Sequence, residues 1–173
     1  MTTYFTPAMT VAEIKTTYKT LALRWHPDRP GGNTAIMQEI NAAYKAALSG
    51  KHGEVSTDEK GEEHTYYYKE NVEQAVIEKL AETIASGLLN NPAVELWLIG
   101  TWLWVKGDTK PHKEQLGREG LKYSWNGAPD RQCWQWHVPT GWRNKKSEDG
   151  FESIAARYGG SRVNHTPRHL EDN

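Results

Sequence analysis

The stretch Leu21-Ala22-Leu23-Arg24-Trp25-His26-Pro27-Asp28-Arg29-Pro30-Gly31-Gly32-Asn33 decides how the first third of the chain folds. Proline at position 27 pushes His26 out of the helical region, so a helix running into Trp25 must stop there. Pro27 also fixes its own backbone and carries no amide donor. Pro30-Gly31-Gly32 completes a turn, and Asn33 is suited to cap a new helix. His26 and Asp28 are thereby predicted at the stiff tip of a helical pair, where polar groups meet a partner at little entropic cost.

Upstream, Thr10 and Glu13 have the spacing of a capping box. From there Ile14, Tyr18, Leu21 and Trp25 recur at helical spacing and form one apolar stripe. Lys15, Lys19 and Arg24 fall off that stripe and are expected to give the helix a basic outer surface. Downstream of Asn33, Ile36, Ile40, Tyr44 and Ala47 or Leu48 form the matching stripe, closed by Ser49-Gly50. A short connection between two amphipathic helices makes them antiparallel neighbours, each burying the other's stripe.

Residues 10–48 resemble the J-domain of DnaJ-type co-chaperones. The resemblance rests on Glu13-Ile14-Lys15, Tyr18, Leu21-Ala22, His26-Pro27-Asp28 and Ile40-Asn41-Ala42-Ala43-Tyr44, five elements in register. It implies contact with a DnaK-type ATPase and stimulation of its ATP hydrolysis, so the chain itself is expected not to be an enzyme. It also implies that His26, Pro27 and Asp28 act as the trigger. Lys15, Lys19, Arg24 and Arg29 would then dock on an acidic patch of the partner. The chain departs from the family in that only Tyr4-Phe5 and a few residues precede Thr10, where a further helix is usual. Tyr4 and Phe5, or a later helix, must then cover the pair. The family's glycine-rich region and cysteine-repeat zinc domain are not present either.

Residues 1–49 are thus read as a J-domain. Residues 50–69 read as a flexible acidic linker. Residues 70–91 follow as a connecting helix with Val72, Val76, Leu80, Ile84 and Leu88 on one face. Residues 92–160 read as a small βαββα domain, and 161–173 as a frayed, disordered tail. In that domain Glu95 to Lys106 is expected as one long strand kinked at Gly100, and Pro111 to Glu119 as a short helix. Leu121 to Trp125 and Gln132 to His137 form a hairpin, and a final helix contains Phe151, Ile154 and Tyr158. The fold class is α+β.

The 173 residues carry a formal net charge of -1, which argues against the whole chain acting as a polycation on nucleic acid. The charge is unevenly spread. Residues 1–50 hold five basic and three acidic groups, 51–91 four and nine, and 92–173 twelve and ten. One cysteine, Cys133, excludes an intramolecular disulfide and a cysteine-cluster zinc site. The N-terminus lacks a basic start followed by an apolar run, and Val94 to Val105 is too short to span a bilayer. A cytoplasmic protein without membrane contact is the expectation.

Strand alternation puts Trp102 with Trp104 on one face, Trp134 with Trp136 on another, and Ile99, Leu103 and Val105 opposite Trp102 and Trp104. These four tryptophans, with Lys113, Lys145 and Lys146, form a candidate surface for nucleic acid or a client protein, by base stacking and phosphate contact. The bland reading has the long helix and the terminal helix bury those rings. The segment also resembles an uncharacterised module that follows truncated J-domains in bacterial, plasmid and phage proteins. Ile99-Gly100-Thr101-Trp102-Leu103-Trp104-Val105, Gly107-Asp108-Thr109, His112-Lys113 and Trp134-Gln135-Trp136 carry that likeness, which implies a mobile element and supplies no activity. His112, Cys133 and His137 lack paired metal-ligand spacing, so neither metal nor cofactor is expected. Two readings follow. One is a co-chaperone whose C-terminal module recruits a client. The other is a nucleic-acid-binding accessory protein of a mobile element.

Overall fold

The computed structural model describes residues 3–57, 61–139, 150–158 and 161–162. Helix α1 (Val11–Trp25) starts at the capping box: Glu13 N–H donates to Thr10 Oγ1, and Thr10 N–H donates to the Glu13 carboxylate at 2.7 Å. Helix α2 (Thr34–Ser49) starts where the Asn33 side chain accepts from Ile36 N–H at 3.1 Å. The two form a hairpin in which Ile14, Tyr18 and Ala22 meet Met37, Ile40, Tyr44 and Leu48, all buried. Tyr18 and Tyr44 stack at 4.0 Å, at the centre of the pair.

Two elements cover the Tyr44 side of the helical pair. Phe5 lies 6.1 Å from the Tyr44 ring, and the Tyr4 hydroxyl donates to Glu39 at 3.4 Å. The larger cover is α3 (Glu70–Ala85), which touches α2 on one side and the sheet on the other. Val76, Ile77, Leu80 and Ile84 of α3 therefore belong to one continuous apolar core with the helical pair and with Leu96, Leu98, Leu103 and Val105 of the sheet. The expected division into separate J-domain, connecting helix and sheet domain is not a division of the core.

Residues 50–69 are not a featureless linker. β1 (Val55–Thr57) pairs antiparallel with β2 (Glu63–Thr65), and Gly53 N–H to Tyr66 O and Tyr66 N–H to Glu54 O extend the ladder. All six strand residues are exposed, so no hydrophobic alternation marks them in the sequence.

Glu95 to Lys106 is not one strand kinked at Gly100. It is a hairpin of β3 (Val94–Ile99) and β4 (Trp102–Gly107), turning at Gly100-Thr101. Gly100 takes φ +59°, the left-handed region a two-residue hairpin loop requires. Beyond it come a 3-10 turn (Lys110–His112), the single-turn helix α4 (Lys113–Leu116), β5 (Ser124–Asn126), β6 (Cys133–His137), α5 (Phe151–Tyr158) and β7 (Ser161–Arg162). The order is ββαββαβ rather than βαββα, and α4 stops short of the expected Glu119. The sheet is antiparallel throughout, ordered β5-β6-β4-β3-β7. The first two residues of the expected tail thus join an edge of the sheet; the remainder of that expectation lies outside the described residues.

Both sheet faces are apolar. Leu96, Leu98, Leu103 and Val105 face the main core, with Trp134 and Trp136 packed against it. Ile99, Trp104 and Cys133 form a second cluster with Phe151 and Ala155 of α5, flanked by Trp97 and Trp102. Ile99 pairs across the turn with Trp102 and shares its face, because the turn resets the alternation that a single strand would continue. Among the described residues no helix is long and apolar enough to cross a membrane.

Candidate functional site

The tip is set by main-chain hydrogen bonds. His26 N–H closes α1 on Ala22 O, Arg29 N–H returns to His26 O, Gly32 N–H to Arg29 O and Asn33 N–H to Trp25 O, each at 2.9 Å. Gly32 lies so close to the His26 carbonyl that a Cβ there would sit 1.9 Å from its oxygen. The two glycines and two prolines therefore wrap the chain tightly round His26.

His26 is only 6% exposed, whereas the Asp28 side chain is 59% exposed. Asp28 N–H donates to His26 Nδ1 at 3.2 Å. That bond assigns the neutral tautomer with its proton on Nε2. Burial pulls the imidazole pKa below its ordinary value, the Asp28 carboxylate opposes this and Arg29 reinforces it. The Asp28 carboxylate also comes within 3.8 Å of Nδ1, a distance that would mean an ion pair only for a charged ring. The main-chain donor on the same nitrogen and the burial both favour the neutral ring. Pro27 is exposed, Arg29 is half-buried, and Arg24 is exposed with its guanidinium 5.3 Å from the Trp25 ring. Beside His26, between the helical pair and α3, lies a cavity of about 180 Å³ with an apolar wall of Ala22, Met37, Ile77 and Leu80. At its edge the Tyr18 hydroxyl donates to Asn41 Oδ1 at 2.8 Å.

Lys15 and Lys19 do not form an outer docking surface. They are 5% and 2% exposed. Lys15 Nζ meets Glu73 of α3 at 3.2 Å and the Gly100 carbonyl at 3.0 Å, and Lys19 Nζ donates to the Leu98 carbonyl at 2.8 Å. The physical reason is a second layer: the flank of α1 next to the Ile14/Tyr18/Ala22 stripe is itself covered, by α3 and the β3–β4 hairpin. Of the cations expected to dock, Arg24 and Arg29 remain at the tip.

Glu73, which sequence reasoning did not single out, organises this interior. It is 2% exposed and accepts from Lys15, from the Tyr44 hydroxyl at 3.3 Å and from the Tyr66 hydroxyl at 3.1 Å. Burial first, then the Glu73 charge, raises the pKa of both phenols above the ordinary value, so both stay protonated donors. A signal was present, since Glu73 precedes Val76, Leu80 and Ile84 at helical spacing and so falls on the apolar face.

The candidate aromatic surface is dispersed. Trp104 pairs with Gln135 and Trp134 with Val105, so Trp102 and Trp104 lie on one sheet face and Trp134 and Trp136 on the other. Trp104 is 3% exposed beneath Phe151, with ring centres 5.5 Å apart. Trp102 stacks on His137 at 4.0 Å. Trp134 and Trp136 are half-buried toward α3, where the Lys79 ammonium lies 5.7 Å from the Trp136 ring. Lys113 is exposed on α4, and Lys145 and Lys146 lie outside the described residues. His112 contacts Asn91 and Gln115, and Cys133 is enclosed in the second cluster. Among the described residues no three His, Cys, Asp or Glu side chains are placed to hold a metal ion.

Compared with known proteins, the chain matches no family model, no curated protein and no solved structure.

Proposed function

We propose that this protein is a co-chaperone of the J-domain type, which docks its tip on a DnaK-type ATPase and accelerates ATP hydrolysis there. The observation that carries the proposal is the His26-Pro27-Asp28 turn, closed by four main-chain hydrogen bonds at the end of a packed helical pair. The turn holds Pro27 and the Asp28 carboxylate outward, while the buried imidazole fixes the Asp28 main chain through Nδ1. His26 is then a positioning residue for Asp28, and Asp28 with Arg24 and Arg29 makes the polar contacts. Lys15 and Lys19 have structural roles in this reading. The bond-breaking chemistry belongs to the ATPase. The sheet domain, sharing a core with the pair, carries the client or complex to be delivered.

Single-turnover ATP hydrolysis by a purified bacterial DnaK-type ATPase tests this. The wild-type chain is expected to raise the rate, and His26→Gln and Asp28→Asn to abolish the increase while circular dichroism stays unchanged. An unaltered rate with the wild-type chain would sink the proposal. The nucleic-acid reading has less support, because the four tryptophans it needs do not share a face.

A further inference from the structure

One ring nitrogen of His26 faces two groups of the same residue. Nδ1 accepts the Asp28 main-chain N–H at 3.2 Å, and the Asp28 carboxylate stands 3.8 Å from that nitrogen. The carboxylate is thus roughly 1 Å beyond the reach of a charge-assisted hydrogen bond. The two partners exclude each other. A bare Nδ1 is an acceptor and takes the N–H, whereas a protonated Nδ1 is a donor and takes the carboxylate. Among the described residues, the surroundings offer no rival charge. The walls that α2 and α3 bring to the cavity beside the ring carry no titratable side chain, and α1 brings the Tyr18 hydroxyl, which donates to Asn41. The charges that act on the imidazole are those of Asp28 and Arg29, on its own turn. The partners also differ in mobility. The ring is 6% exposed and its main chain is wrapped by Arg29 N–H and Gly32, whereas the Asp28 side chain is 59% exposed and able to rotate.

We propose that the His26-Pro27-Asp28 turn is a proton switch: a neutral ring pins the Asp28 main chain and leaves its carboxylate outward, and a proton taken up from water on Nδ1 releases that amide and draws the carboxylate in against the ring. The tip then displays an anion above the switch point and a closed, internally neutralised pair below it. Burial, opposed by the Asp28 carboxylate and reinforced by Arg29, holds the imidazole below its ordinary value of 6.5. The switch therefore operates on the acid side of that value, and the outward carboxylate is the resting state at neutral pH. A partner that reads the Asp28 carboxylate loses it as the pH falls. The switch is a property of the turn and stands independently of what binds the tip.

The test is nuclear magnetic resonance of the full chain from about pH 8 to about pH 4.5, with Asp28→Asn beside the wild type. It reads the ring nitrogens of His26, the amide of Asp28 and the carbon-13 signal of Asp28 Cγ. At the alkaline end the ring proton is expected on Nε2. As the pH falls, the His26 midpoint should lie below 6.5, and the Asp28 amide should shift with that same midpoint. The Cγ signal separates protonation of the carboxyl itself from protonation of the ring. In Asp28→Asn the proton affinity of His26 should drop about tenfold, the lower end of what an opposite charge within about 4–6 Å contributes. An Asp28 amide that ignores the titration of the ring, or a drop of less than about threefold in the variant, overturns the switch. So does a His26 midpoint at or above 6.5, or a ring that takes up no proton by about pH 4.5.

Discussion

Replacing Glu73 by alanine is the most direct probe of what holds the two halves together. The carboxylate is 2% exposed and accepts from one ammonium and two phenols, at 3.1 to 3.3 Å. Its loss leaves the Lys15 ammonium buried with the Gly100 carbonyl but without a counter-charge. Breaking a buried pair from one side costs about 3–5 kcal/mol. A stranded buried hydroxyl adds about 1–3 kcal/mol, but the half-buried Tyr66 can turn to water and only Tyr44 is wholly trapped. A total near 4 kcal/mol is expected after local relaxation, a large share of the roughly 5–15 kcal/mol that a domain commands. For a chain of this size the melting temperature should fall by about 8–16 °C. Urea unfolding followed by tryptophan fluorescence reads the change. The decisive comparison is Lys15→Met with Glu73→Leu, which removes both charges and should recover about half of the loss. A cost below about 1 kcal/mol for Glu73→Ala, or a double variant whose cost is the sum of the single ones, would refute the reasoning.

Two further outcomes are expected. Gly32→Ala places a methyl group 1.9 Å from the His26 carbonyl oxygen, so the turn must open; it should cost about 1–3 kcal/mol and shift the amide signals of Asp28 and Arg29 in a nitrogen-15 spectrum. Unmoved signals there would show that the turn is not wrapped as described. Trp104→Ala should cost about 3–5 kcal/mol, because the ring is enclosed beneath Phe151. Trp125→Ala, at a ring 52% exposed, should stay under about 1 kcal/mol, and equal losses in thermal unfolding would contradict the burial pattern.

What could be read from the residues was what is decided locally. Thr10 with Glu13, the proline after His26 and the Asn33 cap fix the ends of α1 and α2 through contacts within a few positions. The class of the fold and the terminal hairpin of β5 and β6 follow from periodicity in the same way. The misread features depend on distant partners or on a single dihedral angle. Lys15 and Lys19 look solvated when α1 is paired with α2 alone, since the groups that enclose them lie 58 to 85 positions away. Gly100 lies between two runs rich enough in β-branched and aromatic residues to read as one strand, and only its positive φ folds them together. The tryptophan alternation holds within each strand, but alternation alone does not specify which strand face meets which layer.

The long reach of those lysine contacts also bears on how the protein is made. The helical pair is synthesised well before the β3–β4 turn that receives its two lysines. At about 5–20 residues per second, the ribosome needs on the order of 3–10 s to pass from the end of α2 to Gly100. For the first part of that interval the flank of the pair has neither α3 nor the sheet against it, and for the whole of it the β3–β4 turn is missing. The nascent chain is therefore itself an aggregation-prone client for any chaperone near the ribosome until its last strands emerge.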